Sequence, residues 1–241
     1  MGKIHVLLKK EELEQERLDQ NKIVVVFDIL LATSTITTLL AHGAKEVIPV
    51  LDFEEAISEA ENRNSQEILK VGEYRGKIIE GFLYPYPHML KSKVKGKTVI
   101  LSTTNGTVAI KKASRAKKVY ASSLLNAKAV AGKILETYKD ETILLVCAGS
   151  FGRFNVEDFY GAGYFIECLC QLKNHWDLTD AAFTAYLIYK NSMEHSSELL
   201  KKSKVGRMMV EHGYEKEIDF ITQKNVYDVV PFLKNKVSLV T

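Results

Sequence analysis

Three short segments combine carboxylates with hydroxyl and amide groups, which are the groups that bind a metal ion together with a phosphate. Asp28 is followed by Thr33 and Ser34 in "FDILLATSTI". The second segment is "STTNGT", residues 102–107, and the third is "AGSFGRFNVED", residues 148–158. Carboxylates hold Mg²⁺, while hydroxyl and amide donors share the charge of a phosphate. These residue types predict a magnesium site that accepts a small, anionic, phosphorylated ligand.

Each segment follows a predicted strand and precedes a predicted helix. The strands are expected at residues 22–27, 98–101 and 142–147, and the helices at residues 34–42, after Gly106, and at residues 156–172. In open α/β sheets, ligands bind outside the carboxyl ends of the strands. The amide groups at the start of a helix favour anions there. Three such turns at one edge of a sheet would form a single site.

Each segment also has a purely structural interpretation. A lone Asp28 is a typical capping or turn residue, and Asn-Gly is a strong turn signal. Glu157 and Asp158 suit the positive end of a helix dipole without any ligand. Glu73, after Gly72 at the end of a strand, fits an ordinary turn. We favour one shared site because the structural interpretation requires four separate coincidences.

The rest of the chain continues the alternation of strands and helices. Further strands are predicted at residues 4–8, 47–51, 68–71, 119–121 and 218–221, and further helices at residues 11–20, 52–62, 126–138, 180–189 and 196–211. This alternation predicts a three-layer α/β/α fold around a mostly parallel or mixed sheet. The likeness of "VVVFDILLATSTI" to "TVILSTTNGTVAI" is a weak sign of internal duplication. We expect one domain over residues 1–241, with residues of about 1–95 and 96–241 as intertwined halves.

Composition narrows the class of protein. A net charge of +3 over 241 residues, without a basic and aromatic motif, argues against a nucleic-acid partner. The absence of a long apolar run or a signal-peptide core argues against a membrane partner and predicts a cytoplasmic protein. Three sparse cysteines indicate reduced thiols. We expect a homodimer only because symmetric dimers are common among soluble enzymes.

Several phosphatase signatures are absent. Position 30 is Leu, where haloacid-dehalogenase phosphatases carry a second aspartate. The chain also lacks a Walker loop, the C-x₅-R loop of cysteine phosphatases and a G-x-S-x-G elbow.

An ordered set of segments resembles the 2-phosphosulfolactate phosphatases of the coenzyme M pathway. The matching segments are "FDILLATSTI", "VGEYRGKIIEGF", "LSTTNGTVAI", "SSLLNAKAVA", "CAGSFGRFNVEDFYGAG", "LTDAA" and "DFITQKNVYDVVP". The likeness covers nearly the whole chain in order. It implies a duplicated α/β/α fold and Mg²⁺-dependent removal of phosphate from 2-phospho-3-sulfolactate.

The resemblance and the residue chemistry together give the candidate site. The expected catalytic residues are Asp28, Glu73, Asn105 and Asp158, and the expected metal ligands are Asp28, Glu157 and Asp158. The expected substrate-binding residues are Thr33, Ser34, Thr103, Thr104, Gly106, Thr107, Gly149, Arg75 and Arg153. We expect Glu73 to handle the proton of the attacking water. Nucleophilic attack by Asp28 itself stays open.

The chain departs from the family pattern at three places. Leu31 stands where the motif D-V-L-R-A-T carries arginine, and Val108 follows T-T-N-G-T where the family again has arginine. The segment Leu83–His88, "LYPYPH", replaces the family's D-L-G-N-S-P. A substrate with phosphate, sulfonate and carboxylate groups needs cations, and Arg75 and Arg153 are candidates to supply them.

These departures leave a second function open. The alternative is a catalytically weak relative that binds a small anion or a protein partner. If the turns converge, Leu31 and Val108 lie at the rim of the pocket, where two arginines are missing. The structural alternative is that both side chains belong to the core of short helices.

Overall fold

The computed structural model describes residues 2–19, 21–61 and 63–241. The strands are β1 (Gly2–Leu7), β2 (Lys22–Phe27), β3 (Glu46–Val50), β4 (Ile68–Tyr74), β5 (Lys77–Ile78), β6 (Thr98–Ser102), β7 (Lys118–Ala121), β8 (Thr142–Cys147), β9 (Trp176–Leu178), β10 (Phe232–Lys234) and β11 (Ser238–Val240). The α-helices are α1 (Ala32–Ala41), α2 (Phe53–Glu61), α3 (Pro87–Leu90), α4 (Gly106–Lys112), α5 (Ala127–Thr137), α6 (Val156–Leu172), α7 (Asp180–Ser192), α8 (Ser196–Lys202), α9 (Lys204–Glu211) and α10 (Glu215–Ile221).

The strands form one mixed sheet in the order β5-β4-β6-β3-β11-β10-β7-β2-β8-β1-β9. Strands β4, β6 and β3 are parallel, as are β7, β2, β8, β1 and β9. The antiparallel pair β10 and β11 joins these two groups. Each parallel group contains strands from both predicted halves of the chain. The predicted α/β class with a mixed sheet and flanking helices is confirmed.

The two parallel groups share one hydrophobic core around α1 and α4. Val26 of β2 and Leu101 of β6 belong to this core, together with Ile36 of α1 and Ile110 of α4. Residues from strands that lie far apart in the sheet order therefore face the same pair of helices. This packing brings the turns after β2 and β6 together.

Helix α1 is buried from Ala32 to Leu40 although it contains five hydroxyl residues. Its five hydroxyls all donate to carbonyl groups, four of them on residues nearby in the chain. Thr37 Oγ1 donates to the Thr33 carbonyl at 2.8 Å, and Thr38 Oγ1 donates to the Ser34 carbonyl at 2.8 Å. Because buried polar groups need partners, these bonds allow a hydroxyl-rich helix to lie in the core.

The predicted helix over residues 11–20 is wrong. The chain instead forms two short 3₁₀ helices, Lys10–Glu12 and Gln15–Arg17, and Gln20 lies outside the described residues. Leu13 and Leu18 follow these helices and are both buried in the core. A separation of five residues cannot place two side chains on one face of an α-helix, so the segment breaks between them.

Two predictions near the C-terminus also fail. The predicted strand at 218–221 is part of α10, in which Ile218 and Ile221 share a buried face. The predicted helix over 196–211 divides into α8 and α9 at Ser203. The Ser203 hydroxyl accepts the Gly206 amide at 3.0 Å, and a Cβ at Gly206 would lie 1.8 Å from the Leu200 carbonyl oxygen. A continuous helix would lose this close packing.

Other elements match the sequence more closely. The strands at 22–27 and 142–147 and the helix at 156–172 have the predicted bounds. Asp52 caps the helix predicted at residues 52–62, since its Oδ1 accepts the Glu55 amide at 2.8 Å, while the predicted end of that helix at Asn62 lies outside the described residues. All three cysteines are free thiols. Among the described residues, no helix is both long and apolar enough to cross a membrane.

Candidate active site

Asp28 follows β2 directly and is fixed by its own turn. Its Oδ1 accepts the Ala32 amide at 3.2 Å at the start of α1. Its backbone amide donates to Thr33 Oγ1 at 3.1 Å, and that hydroxyl donates to the Asp28 carbonyl at 3.0 Å. The carboxylate is therefore held in one orientation. The residue is also buried, with only 7% of its surface exposed.

The turn after β6 lies against Asp28. A Cβ at Gly106 would lie 2.6 Å from Asp28 Oδ2 and 2.5 Å from the Ala32 Cβ, so only glycine permits this approach. Thr103 and Thr107 close the turn, with the Thr107 hydroxyl donating to the Thr103 carbonyl at 2.9 Å. The predicted meeting of the first two polar turns is present.

The third turn contacts the first through Asp158. Its Oδ1 accepts the Ile29 amide at 2.9 Å, and its Oδ2 accepts the Gly149 amide at 3.0 Å. Since β2 and β8 are parallel, with Phe27 opposite Cys147, both strands end beside this carboxylate. Asp158 thus joins the ends of two strands to the start of α6.

Glu73 brings a fourth element to the site, from the end of β4. Its Oε1 accepts the Thr104 amide at 2.7 Å. Its Oε2 accepts the Thr104 hydroxyl at 3.1 Å and the Gly76 amide at 2.7 Å. Thr104 Oγ1 in turn accepts the Arg75 amide at 2.8 Å. These bonds are more specific than a simple turn requires, and they hold the carboxylate at the predicted site.

Burial and neighbouring carboxylates raise the pKa values of Asp28, Glu157 and Asp158. Burial, followed by the negative charge of Glu73, raises the pKa of Asp28 to about 6, against the opposing effects of the Ala32 amide and Lys10. Burial and the charge of Asp28 raise the pKa of Glu157 to about 7. Burial raises the pKa of Asp158 well above its ordinary value, and the charges of Asp28 and Glu157 add to this. Such a cluster of buried like charges is typical of functional sites.

A cavity of about 170 Å³ opens at these turns. Seven of the predicted site residues line it: Asp28, Glu73, Arg75, Thr103, Thr104, Asn105 and Gly149. Seven others do not line it: Thr33, Ser34, Gly106, Thr107, Arg153, Glu157 and Asp158. The latter group supports the cavity from behind or lies outside it.

The hydroxyls behind the cavity are occupied within the chain. Thr33 bonds to Asp28, as described above, and Ser34 Oγ donates to the Ile29 carbonyl at 2.8 Å. Arg153 is exposed. Leu31 lines the cavity at the place expected for a missing arginine, whereas half-buried Val108 does not line it.

Sequence reasoning missed two cations at the site. Lys10 is only 8% exposed, and its Nζ donates to Asn105 Oδ1 at 2.8 Å. Lys204, the first residue of α9, lines the cavity. Lys10 follows β1, which is parallel to β8, so its position after a strand end was a usable signal. No local pattern linked Lys204 to a site formed by distant turns.

Sequence reasoning also missed an apolar part of the lining, apart from Leu31, which it placed at the rim of the pocket. This part contains Leu31, Tyr84, Tyr86, Val205, Met208 and Met209, which we call the apolar wall. The tyrosines come from the "LYPYPH" segment, and the last three residues come from α9. The segment that departs from the family pattern therefore borders the candidate site.

The donor set fits Mg²⁺ that is bound together with a phosphate. Glu157 Oε1 is buried without a hydrogen-bond partner, which indicates an absent polar partner. Both oxygens of Asp158 accept backbone amides, so Asp28 and Glu157 are the better candidates to hold the ion. Within the described ranges, no group of three or more His, Cys, Asp or Glu residues is placed to hold a metal ion by itself. Mg²⁺ commonly uses one or two carboxylates and takes its other ligands from water and phosphate.

A second depression of about 710 Å³ lies on the surface of α8 and α9. Its lining includes Glu198 and Lys202, which form an exposed ion pair one helical turn apart. Exposed pairs of this kind are ordinary features of helix surfaces. The chemistry therefore points to the cavity at the strand ends.

Comparisons with known proteins identify the family of this chain. A family model described as 2-phosphosulpholactate phosphatase matches residues 7–236. A protein of Clostridium acetobutylicum is 38% identical over 235 residues, covering 97% of this chain and 98% of that protein. One from Clostridium perfringens is 41% identical over 237 residues, covering 97% and 94%. One from Caldanaerobacter subterraneus subsp. tengcongensis is 42% identical over 218 residues, covering 90% and 89%.

All three relatives carry the name probable 2-phosphosulfolactate phosphatase. The match extends over nearly the whole chain and includes each of the polar turns that meet at the cavity. By this extent of similarity, the chain belongs to the 2-phosphosulfolactate phosphatase family.

Proposed function

We propose that this protein is a Mg²⁺-dependent phosphatase that hydrolyses 2-phospho-3-sulfolactate or a related phosphorylated hydroxy acid. The names of the relatives support the reaction class. The observation that carries the proposal is the meeting of Asp28, the start of α4 and Glu73 at one small cavity. This arrangement joins carboxylates, hydroxyls and backbone amides within reach of one ligand.

The α4 turn is suited to receive the phosphate. Thr103, Thr104 and Asn105 line the cavity directly before this helix. Lys10 orients the side chain of Asn105 through its oxygen, so the amide nitrogen of Asn105 is the group available as a donor. Positioned donors of this kind stabilise charge that develops on phosphoryl oxygens.

Asp28 and Glu73 have different roles, metal binding for Asp28 and proton transfer for Glu73. Asp28, with Glu157 behind it, would hold Mg²⁺, which supplies positive charge to the phosphoryl oxygens when bound. Glu73 lines the cavity and is held by three donors, so it is positioned to accept a proton from the attacking water. Arg75 and Lys204 supply cations at the cavity for the acid groups of the substrate.

Phosphate release with and without a chelator tests this proposal. We expect release from 2-phospho-3-sulfolactate or a related ester in Mg²⁺, its loss in EDTA, and its return when Mg²⁺ is added in excess. Asp52→Ala, in the exposed cap of α2, is a matched carboxylate control outside the cavity and should behave as the native protein does. Full turnover in EDTA would contradict the role of the metal.

Leu31 supports a second candidate function, a weak or inactive relative that binds a small anion or a protein partner. It lines the cavity where the family resemblance implies an arginine, so one anion contact is missing there. A thermal shift with phosphate but no turnover of any ester would favour this candidate over the enzyme.

A further inference from the structure

The cavity has two chemically different parts. Its polar part contains the carboxylates and the α4 turn. The apolar wall defined above offers aromatic, aliphatic and thioether groups instead. A ligand that fills the cavity must therefore present a polar group to one part and an apolar group to the other.

The hydroxyl groups of the two tyrosines in the apolar wall already have hydrogen-bond partners within the protein. The Tyr84 hydroxyl donates to the Gly76 carbonyl. The Tyr86 hydroxyl interacts with Tyr214, whose ring lies 4.2 Å from that of Tyr86 between centroids. The Tyr84 and Tyr86 rings stack at 4.7 Å with an interplanar angle of 5°. Because their hydroxyls are occupied, these residues contribute mainly ring surface to a ligand.

The wall is also held rigidly by the surrounding structure. Thr35 Oγ1, in buried helix α1, donates to the Pro85 carbonyl at 2.6 Å. The His88 and Met89 amides donate to the carboxylate of Glu217 at 2.9 and 3.2 Å. The segment is thus anchored on both sides of Tyr86, and an apolar ligand group meets a surface that is already formed.

The described side chains of the lining carry no net positive charge to add to the two charges that a bound Mg²⁺ would supply. Among the described residues that line the cavity, the cations Arg75 and Lys204 are balanced by Asp28 and Glu73. A phosphate ester with both a carboxylate and a sulfonate carries about four negative charges near neutral pH. A sulfonate placed on the apolar wall would lose water without gaining a donor, which is unfavourable.

The size of the cavity limits the ligand further. Its volume of about 170 Å³ is below the roughly 300–1,000 Å³ of typical ligand pockets. That space suits a phosphate with a small organic group. It is too small to enclose a whole nucleotide. The apolar group must therefore be of the size of a short aliphatic side chain.

On the basis of the proposed function, we propose that the preferred substrate is the phosphate ester of a small 2-hydroxy acid with an apolar side chain. The apolar wall receives this side chain, in the place where a sulfonate would otherwise lie. The phosphate lies at the α4 turn, and the carboxylate pairs with Arg75 or Lys204. Water attacks phosphorus, the ester oxygen leaves with a proton, and the products are the hydroxy acid and inorganic phosphate.

Three esters that differ only in the side chain test this selection. They are 2-phospholactate, the 2-phosphate of 2-hydroxy-4-methylpentanoate, and 2-phospho-3-sulfolactate. We expect kcat/KM to be highest for the branched ester and about tenfold or more lower for the sulfonated ester, as is typical for apolar pockets. An equal or higher kcat/KM for 2-phospho-3-sulfolactate would overturn the proposal.

A cation added to the wall should weaken the preference. Met208 lines the cavity and is 40% exposed on α9, so the fold can accept Met208→Lys. We expect this variant to raise kcat/KM for the sulfonated ester about fivefold relative to the branched ester. Met193→Lys is the matched control, since Met193 is 37% exposed and does not line the cavity. An unchanged ratio in Met208→Lys, or the same change in Met193→Lys, would overturn the proposal.

Binding of the dephosphorylated acids separates this inference from the proposed function. Calorimetry with 2-hydroxy-4-methylpentanoate and with sulfolactate, both in inorganic phosphate, reports ligand selection without turnover. Tighter binding of the branched acid without hydrolysis of any ester would support the selection and contradict the phosphatase function. Hydrolysis that favours the sulfonated ester would support the function and contradict the selection.

Discussion

The turns after β2 and β6 are built by the same pattern of hydrogen bonds. In the first, the Asp28 amide donates to Thr33 Oγ1, which donates back to the Asp28 carbonyl, while the Ala32 amide donates to the Asp28 side chain. In the second, the Thr103 amide donates to Thr107 Oγ1, which donates back to the Thr103 carbonyl, while the Thr107 amide donates to the Thr103 side chain. The difference lies in the first residue, which is a carboxylate in one turn and a hydroxyl in the other.

The comparison of Asp28 with Thr103 shows which property of Asp28 the turn requires and which it does not. Thr103 shows that a neutral hydroxyl is enough to accept the helix amide in such a turn. Asp28 accepts the equivalent bond but also places a charge where burial and Glu73 oppose ionisation. Because the fold does not require this charge, we attribute it to ligand binding. The capping interpretation of Asp28 describes only its Oδ1.

Removal of that charge should have the largest effect. We expect Asp28→Asn to lower kcat/KM by about a thousandfold, as is found when a group that stabilises the transition state is lost. The folded protein should be as stable as the native one or more so, since the amide keeps the Ala32 bond without like-charge repulsion. Phosphate release and urea unfolding measure both effects. Activity within threefold of the native protein would contradict a catalytic Asp28.

The same charge predicts a pH dependence of stability. The pKa of Asp28 is raised to about 6 in the folded protein, so the folded state binds more protons than the unfolded state between about pH 4 and 6. The contribution of this group is therefore fully present below pH 4 and is lost as pH rises through 6. The stability gained by Asp28→Asn should grow by about 2 kcal/mol from pH 4.5 to 7.5 in metal-free protein. Urea unfolding at both pH values measures it, and a constant difference would contradict the prediction.

The hydrogen bonds that the two turns share should contribute similarly to the free energy of unfolding. Thr33→Val and Thr107→Val each remove a hydroxyl that accepts one buried amide and donates to one buried carbonyl. We expect each to lower the free energy of unfolding by about 1–3 kcal/mol. Thr33→Ser and Thr107→Ser keep the hydroxyl and should recover most of this loss. If only one turn were sensitive, the two would not be structural equivalents.

The smallest effect concerns the two missing arginines. Leu31 lines the cavity and Val108 does not, so Leu31→Arg alone should lower KM for 2-phospho-3-sulfolactate, by about tenfold, or roughly 1.4 kcal/mol. The gain should shrink as salt rises, because exposed charges are screened. Val108→Arg is the matched control and should leave KM unchanged. Equal gains from both variants, or a loss of stability without a gain from Leu31→Arg, would contradict this placement.

The sequence predicted the strand-to-helix turns well because their signals are local. A run of apolar β-branched residues predicts a buried strand, and β2 and β8 have the predicted bounds. Asp28, Thr103 and Gly149 lie within two residues of a strand end, so their place at the cavity followed from the general rule for α/β sheets. Glu73, which follows Gly72 at the end of another predicted strand, was added on the same ground, and a segment of the family resemblance also covers it.

Other parts of the site had no local signal. Lys204 and Met208 belong to a helix near the C-terminus, and their position at the cavity depends on the break at Ser203. Tyr84 and Tyr86 belong to the segment that departs from the family pattern, but the sequence did not predict that they line the site. The segment at 11–20 has a helical composition. A continuous α-helix would not bury both Leu13 and Leu18, so the chain forms two short 3₁₀ helices instead.

The sequence by itself determined the α/β class, the main strands and the residue types of the polar turns, because propensity, periodicity and capping act over a few residues. Only the tertiary structure decided which turns meet. In the sheet order β2 and β6 are separated by four other strands, and their turns meet because both groups pack on α1 and α4. The glycine at 106 permits the final approach to Asp28. The raised pKa values and the apolar wall follow from that packing, since burial and neighbouring charges depend on residues distant in the chain.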